Sequence, residues 1–336
     1  MADTNLVDVQ DLSVHYSVRY RGRRRALKAV DGVSLHVAPG ECLGIVGESG
    51  CGKSTLSLAI AGLVAPTAGH ITLAGKPHEA LRQGDKGALA KQVQMVFQDP
   101  YASLNPRHSI RRALEEPLKI NGLSDKAERD AKVTKILSAV GLTDEQAALY
   151  PHQFSGGQRQ RICIARALIM EPQLVIGDEP VSALDVSVRA QIINLLLNLK
   201  HEFALSYIIV SHDLTVIEHL CDRVAVMYLG KIVESGSWDD VFGAPMHPYT
   251  RALLAAVPDP FSGNSATQAL EGDVPNPLSP PSGCYFRTRC PNASDRCAED
   301  QPQLRSQSQH GEHRVACHFP IENLSTNSTS STRGTR

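Results

Sequence analysis

Apolar and polar positions along this chain follow two periods, and the switches between them mark out its elements. Leu12, Val14, Tyr16 and Val18 alternate with polar residues, as do Val33, Leu35 and Val37. Each run reads as a half-buried strand, and the two as partners. Pro39-Gly40 ends that pair and leads into Glu41–Val46, a short apolar run suited to a buried strand. Leu56, Ala59, Ile60 and Leu63 then recur at i, i+3, i+4 and i+7, which is a helix face. Ile71–Leu73 and Val93–Phe97 are further short strands, the second delivering Gln98. Ser124 is the expected N-cap of a helix with Val133, Ile136, Leu137 and Val140 on one face, and Gly141 is placed to end it. Thr143 and Gln146 fit a capping box. A helix opens at Phe154-Ser-Gly-Gly-Gln158, runs to about Met170 and stops at Pro172. Leu174–Asp178 and Tyr207–Ser211 are buried strands. Between them Asp185 caps a helix with Ile192, Leu195, Leu196, Leu199 and Phe203 on one face. Strands alternating with helices predict an α/β fold with a parallel-sheet core, preceded by an antiparallel β element. The site belongs at the C-terminal ends of the strands.

The chemistry starts at Gly47–Thr55, GESGCGKST, which matches the phosphate-loop pattern G-x-x-x-x-G-K-[ST] between a strand and a helix. Gly47, Gly50 and Gly52 let the backbone curl, so that N–H groups of Ser49, Gly50, Cys51 and neighbours point inward at an anion beside a helix N-terminus. Lys53 can then reach the β- and γ-phosphates of a nucleotide, and the Ser54 hydroxyl can ligate Mg²⁺. Cys51 reads as a small filler of the loop. The motif by itself says nucleotide and leaves the task open.

Composition narrows the class. The 336 residues are 42% hydrophobic and 21% charged, ordinary values for a globular chain, with a net charge of −1. That balance carries no electrostatic footprint for nucleic acid. One basic cluster, Arg19, Arg21, Arg23, Arg24, Arg25 and Lys28, is expected as a solvated loop between two strands. No run reaches the roughly 18 apolar residues of a membrane span, and the polar start is no signal peptide, so the expectation is a soluble, cytosolic chain. After about Gly236 prolines crowd the chain, and residues 321–336 are rich in Ser and Thr and expected to be disordered. Cys284, Cys290, Cys297 and Cys317 gather in this late region, whereas Cys42, Cys51, Cys163 and Cys221 are scattered. No C-x₂-C pair is present, and spacing alone leaves an iron–sulfur cluster, zinc and free thiols open.

The order of pieces says more than any one of them. A P-loop, Gln98 after a strand, Ser155-Gly-Gly-Gln158 at a helix start, a strand ending in Asp178-Glu179, Ser182-Ala-Leu-Asp185, and a strand ending at His212 follow in sequence. This series resembles the ATP-binding cassette (ABC) ATPases over roughly Leu6 to Gly236. Phe154 where Leu is usual, and Gly177 before the acid, are departures that remove no functional group. The resemblance implies ATP and Mg²⁺ as ligands, with Ser54, Gln98 and Asp178 toward the metal. Glu179 is implied as the base that orients or deprotonates the attacking water, and His212 as a contact to the γ-phosphate. Tyr16 is implied to stack on adenine; from pattern alone it could equally be a core tyrosine. Ser155, Gly156, Gly157 and Gln158, with Asp185, are implied to meet the nucleotide of a second subunit, in trans.

Longer phrases narrow the branch. Phe97–Arg107, Ala183–Ser187, His247–Leu253, Pro280–Cys284 and Phe286–Pro291 resemble the dipeptide/oligopeptide importer ATPases, in particular their F-type subunit. That family implies residues 1–236 as nucleotide-binding domain with a helical subdomain at about 100–170, and 237–320 as a loop-rich appendage. It implies a second, non-identical ATPase subunit and two transmembrane permease subunits, reached through about Asp99–Arg107. It also implies an extracytoplasmic substrate-binding protein, a place on the cytoplasmic face of the inner membrane, and a [4Fe–4S] cluster on the four late cysteines. Nickel or glutathione could replace peptide as cargo. A soluble ABC ATPase acting on nucleic acid or the ribosome fits less well, because one cassette and no basic face are present. A non-catalytic cassette conflicts with the Lys53, Asp178, Glu179 and His212 set.

Overall fold

The computed structural model describes residues 5–83, 87–256, 272–306 and 313–321. The serine- and threonine-rich stretch expected to be disordered lies, beyond Ile321, outside the described residues. Two sheets organise the rest. Arg23–Val37, Val7–Tyr20, Ala68–Leu73 and Lys76–Pro77 form an antiparallel sheet in that order. The second sheet is built on five parallel strands, in the order Arg223–Tyr228, Cys42–Val46, Ser206–Val210, Leu174–Asp178 and Val93–Val96.

The parallel strands are near-continuous apolar runs because both of their faces are covered. Successive residues serve opposite cores: Leu43 and Ile45 join the antiparallel sheet's core, Cys42 and Val46 the helical one. Tyr207 and Ile209 likewise part from Ile208 and Val210. The helical core gathers Ile110–Ile120, Lys126–Ala139, Gly156–Leu168 and Val186–Glu202 against one face of the sheet.

Differences from the pattern reading have local causes. The basic cluster is not a loop: Arg19 and Arg23–Arg25 are paired strand residues, and only Arg21-Gly22, both at positive φ, make the turn. The helix after the P-loop ends at Ile60, since Gly62 takes positive φ, so Leu63 is exposed. Asp125 instead of Ser124 caps Lys126–Ala139: its carboxylate accepts from Ala127 N–H at 2.9 Å, and an anion suits that end of a helix. Gly141 stands at positive φ just beyond that helix, as expected. Arg223–Tyr228 and Lys231–Ser237 were not foreseen, although the first is the neighbour of the P-loop strand.

The late residues extend the core rather than build one of their own. Arg305–Ser306 and Arg314–Val315 continue the large sheet past Lys231–Ser237. Tyr249 and Phe286 belong to the helical core, and their rings meet Tyr228 at 4.7 and 5.3 Å between centroids. Glu234, fully buried, accepts from Met246 N–H, His247 N–H and His313 Nε2, which satisfies its carboxylate across three segments. Among the described residues no helix is long and apolar enough to cross a membrane.

Candidate functional site

The strand ends open on one cleft of about 590 Å³, and most of the expected residues line it. Tyr16, Ser49–Thr55, Gln98, Glu179 and His212 come together there from five separate segments. Tyr16 is 36% exposed at its rim, so it is no core tyrosine. Lys53 is 5% exposed; its ammonium donates to the carbonyls of Gly47 at 2.8 Å and Glu48 at 3.0 Å. The loop glycines are required by contact as well as by curvature. A Cβ on Gly47 would lie 2.1 Å from the Met227 carbonyl oxygen, and one on Gly52 2.0 Å from that of Ala29.

Across the cleft, Ser54 Oγ donates to Asp178 Oδ1 at 3.1 Å. Burial pushes the Asp178 carboxyl up, against the lowering effect of that hydrogen bond. A half-buried carboxylate beside a hydroxyl is a hard-oxygen donor set, which fits Mg²⁺. Glu179 follows at once, with φ at +50°, a conformation that costs a non-glycine residue and recurs at functional sites. Its N–H donates to Val210 O at 2.9 Å, and its Oε1 accepts from His212 Nδ1 at 2.9 Å. That bond leaves Nε2 of the His212 ring unengaged by Glu179.

The residues expected to act in trans lie elsewhere. Ser155, Gly156, Gly157 and Gln158 do not line the cleft; Ser155 caps Gly156–Leu168 in a capping box with Gln158. Asp185 is the exposed N-cap residue of Val186–Glu202, with no side-chain cap bond. Asp99 caps a short turn of helix, Pro100–Ser103, whose Tyr101 is 64% exposed. Two arginines of the capped helix hold that turn. Arg159 lies 4.0 Å over the Tyr101 ring, and Arg166 donates to the Ser103 carbonyl.

Cys284, Cys290, Cys297 and Cys317 line one small pocket with His247 and Phe286, and all four are free thiols. Burial pushes the thiols of Cys284, Cys290 and Cys317 up, the last to about 11, which keeps them protonated at neutral pH. Four thiols are the right donors for a cluster. Yet among the described residues no group of three or more His, Cys, Asp or Glu side chains is placed to hold a metal ion. The expected [4Fe–4S] cluster thus finds its cysteines gathered without a coordinating shell.

Sequence reasoning missed the wall that later segments give the cleft. Pro277 lines it, near the Arg25–Ser279 hydrogen bond of 2.8 Å, and so do Leu229 and Gly230. It also missed two partners of Glu48: Tyr249, whose hydroxyl accepts from Glu48 N–H, and Arg289, which pairs with its carboxylate. An acid inside an anion-binding loop was the available signal.

Residues 30–182 match the family described as ABC transporter, and residues 233–297 the one described as oligopeptide/dipeptide transporter, C-terminal region. The chain is 49% identical over 322 residues to the oligopeptide transport ATP-binding protein OppF of Escherichia coli, covering 93% of this chain and 95% of that one. It is 45% identical over 318 residues to the putative oligopeptide transport ATP-binding protein YkfD of Bacillus subtilis, covering 94% and 95%. Among solved structures, cbiO1 from Clostridium perfringens, part of an ABC transporter complex, superposes with a TM-score of 0.63. It shares 29% identity and covers 71% of this chain and 91% of its own. A dimeric post-hydrolysis state of an ATP-binding cassette, bound to ADP and Pi, gives 0.60 at 28% identity, covering 69% and 98%. The chain belongs to the ATP-binding-cassette transporter ATPases, in the branch of the oligopeptide transport ATP-binding proteins.

Proposed function

We propose that this ATPase powers the import of peptides through a membrane complex. The carrying observation is the single cleft in which the P-loop, Gln98, Glu179 and His212 converge on the Ser54–Asp178 pair. The relatives' names, which speak of oligopeptide transport, supply the cargo class.

In this reading Tyr16 stacks on the adenine, and the loop Gly47–Thr55, through its N–H groups other than those of Glu48 and Cys51, holds the phosphates together with Lys53. Ser54, Asp178 and Gln98 would hold Mg²⁺, which would neutralise charge on the transferring phosphoryl group. Glu179, pinned by the His212 hydrogen bond, takes the proton of the attacking water or aims it, and His212 Nε2 faces the γ-phosphate. Ser155, Gly156, Gly157, Gln158 and Asp185 lie outside their own cleft, which supports a role at the nucleotide of a second, non-identical ATPase subunit.

Asp99–Arg107 carries the stroke to two permease subunits. Its exposed Tyr101, held by Arg159 and Arg166, ties that surface to the helix that senses nucleotide in trans. The complex works with a substrate-binding protein outside the membrane, and this chain sits on the cytoplasmic face. Residues 1–236, with a helical part at about 100–170, form the nucleotide-binding unit, and 237–320 the appendage. For the four-cysteine pocket the resemblance favours a [4Fe–4S] cluster. The gathered thiols support it and the missing coordinating shell opposes it. Iron and acid-labile sulfide in anaerobically purified protein decide that question.

The function is tested by ATPase activity of the chain purified with its permease partners. Binding protein is added with dipeptides, longer peptides, nickel or glutathione in turn. Stimulation by a peptide class is the expected result. Stimulation by nickel or glutathione alone moves the cargo, and failure to recover any permease overturns the transport reading.

A further inference from the structure

Every polar group of Glu48, the second residue of the P-loop, is engaged. Its carbonyl accepts from Lys53 Nζ at 3.0 Å and from Cys51 N–H at 3.3 Å. Its N–H donates to the Tyr249 hydroxyl at 2.8 Å. Its carboxylate takes both arms of the Arg289 guanidinium, Nη1 to Oε2 at 2.7 Å and Nη2 to Oε1 at 3.0 Å. Two of the four partners come from the far end of the chain, 201 and 241 residues away.

Those two partners are rigidly held. The Arg289 side chain is 3% exposed and lies 6.0 Å over the Tyr228 ring. Tyr249 is fully buried, its ring 4.7 Å from that of Tyr228 and 5.4 Å from that of Phe286. Arg289 also stands next to Cys290 of the thiol pocket. The late region therefore grips the P-loop at one residue, and through the Glu48 carbonyl it bears on the lysine of that loop.

Charge gives the grip a purpose. A bare carboxylate in a loop built for a triphosphate repels it, and screening is weak where water is partly excluded. A fork-to-fork guanidinium cancels that charge and fixes the direction of the side chain. The Tyr249 hydroxyl meanwhile occupies the Glu48 N–H, as the Glu48 carbonyl occupies that of Cys51, so the ligand falls to the other N–H groups of the loop.

We infer that Arg289 and Tyr249 are positioning residues for ATP: acting through Glu48, they hold the P-loop and Lys53 in place and neutralise the loop's own acid. The inference rests on the cleft being the ATP site, so the test carries a control for that reading. Binding of Mg–ATP to the full chain is followed by titration, with melting temperature measured alongside. Lys53→Ala comes first. If it binds ATP as wild type does, the cleft is misassigned. With that control passed, Arg289→Gln is expected to raise Kd about tenfold, with the loss falling on KM more than on kcat. Adding Glu48→Gln removes the orphaned carboxylate and brings Kd back to within about threefold of wild type. A pair that only braced the fold would lower the melting temperature, and the double variant would recover no affinity. Tyr249→Phe keeps the ring packing and deletes only the acceptor, so it should raise Kd by less. If Arg289→Gln does not fold, Arg289→Lys decides, since it keeps charge but loses the fork. Folded variants of Arg289 and Tyr249 with wild-type Kd, or a double variant no tighter than the single, overturn the inference.

Discussion

Two helix N-termini in this chain, assigned to the same ligand on the proposed reading, are prepared in opposite ways. The helix Lys53–Ile60 begins at Gly52, whose φ of 110° and lack of a side chain leave the first N–H groups without a side-chain cap. It opens into a cleft that already holds Lys53. The helix Gly156–Leu168 begins at Ser155, where Ser155 and Gln158 cap each other's backbone N–H groups, and none of its residues lines that cleft. One terminus has no side-chain cap inside its own chain. The other is satisfied until something replaces its cap, and on the proposed reading that is the γ-phosphate on a partner subunit. On that reading the lone chain can bind nucleotide but cannot complete the site around it.

The largest test of this asymmetry is the state in which both termini share one nucleotide. Glu179→Gln keeps the shape of the side chain and removes the base, so turnover should fall by about 10²- to 10⁴-fold while Mg–ATP still binds. The closed ATPase pair should then persist, which size-exclusion chromatography with ATP would show. Hydrolysis near the wild-type rate would remove Glu179 from the role. Ser155→Ala probes the capped terminus alone. It deletes a cap worth about 1 kcal/mol of helix stability and a donor expected in trans. Turnover of the assembled complex should drop roughly 100-fold, while the Kd of the isolated chain for ATP stays unchanged. A raised Kd in the isolated chain would mean that Ser155 serves its own cleft, and the comparison would collapse.

Both termini also depend on glycine, for different reasons. A Cβ on Gly52 would meet the Ala29 backbone oxygen at 2.0 Å and would need positive φ; one on Gly157 would meet the Val188 side chain, its Cγ1 at 2.4 Å. Backbone cannot step aside, whereas a side chain can turn or shift. Gly52→Ala should therefore cost several kcal/mol or prevent folding, and Gly157→Ala about 1 kcal/mol, with both read from urea midpoints. Equal losses would contradict this account.

How far the sequence reached follows the same division between local and distant. The P-loop, Asp178-Glu179 and the helix start at Ser155 are set by contiguous residues, and each stands where the pattern placed it; the Ser155–Gln158 capping box was not foreseen. Strand Arg223–Tyr228 was missed although it borders the P-loop strand, because that neighbour lies 180 residues away and an apolar run carries no pairing information; its other partner, Lys231–Ser237, follows at once and was missed with it. Tyr249, Arg289 and Pro277 were missed for the same reason. Their roles arise only where the late region folds back, and Glu48 was the one local sign that a cation had to arrive. The basic hairpin shows the converse error: like charges suggested a loop, but strand pairing with Val7–Tyr20 overrode them.

A third helix N-terminus lies between the two extremes and can be switched. Pro248–Ala255 is capped by His247, whose Nδ1 accepts from Tyr249 N–H at 3.0 Å. Burial holds this imidazole down to about 4, against the raising effect of Glu234. Between pH 6.5 and 4 the unfolded chain binds a proton that the folded one refuses, so stability rises with pH across that window. It is fully present above 6.5 and lost as the pH falls toward 4. The full shift corresponds to about 3 kcal/mol. His247→Asn keeps a capping oxygen and cannot titrate. Near neutral pH it should differ little from wild type, and on acidification it should lose less stability by about that amount. Parallel acid-melting curves would show that the cap is not held neutral. Diverging curves would make His247 an acid-sensitive cap of the element whose Tyr249 hydroxyl holds the P-loop, an effect that joins the late region to the uncapped terminus.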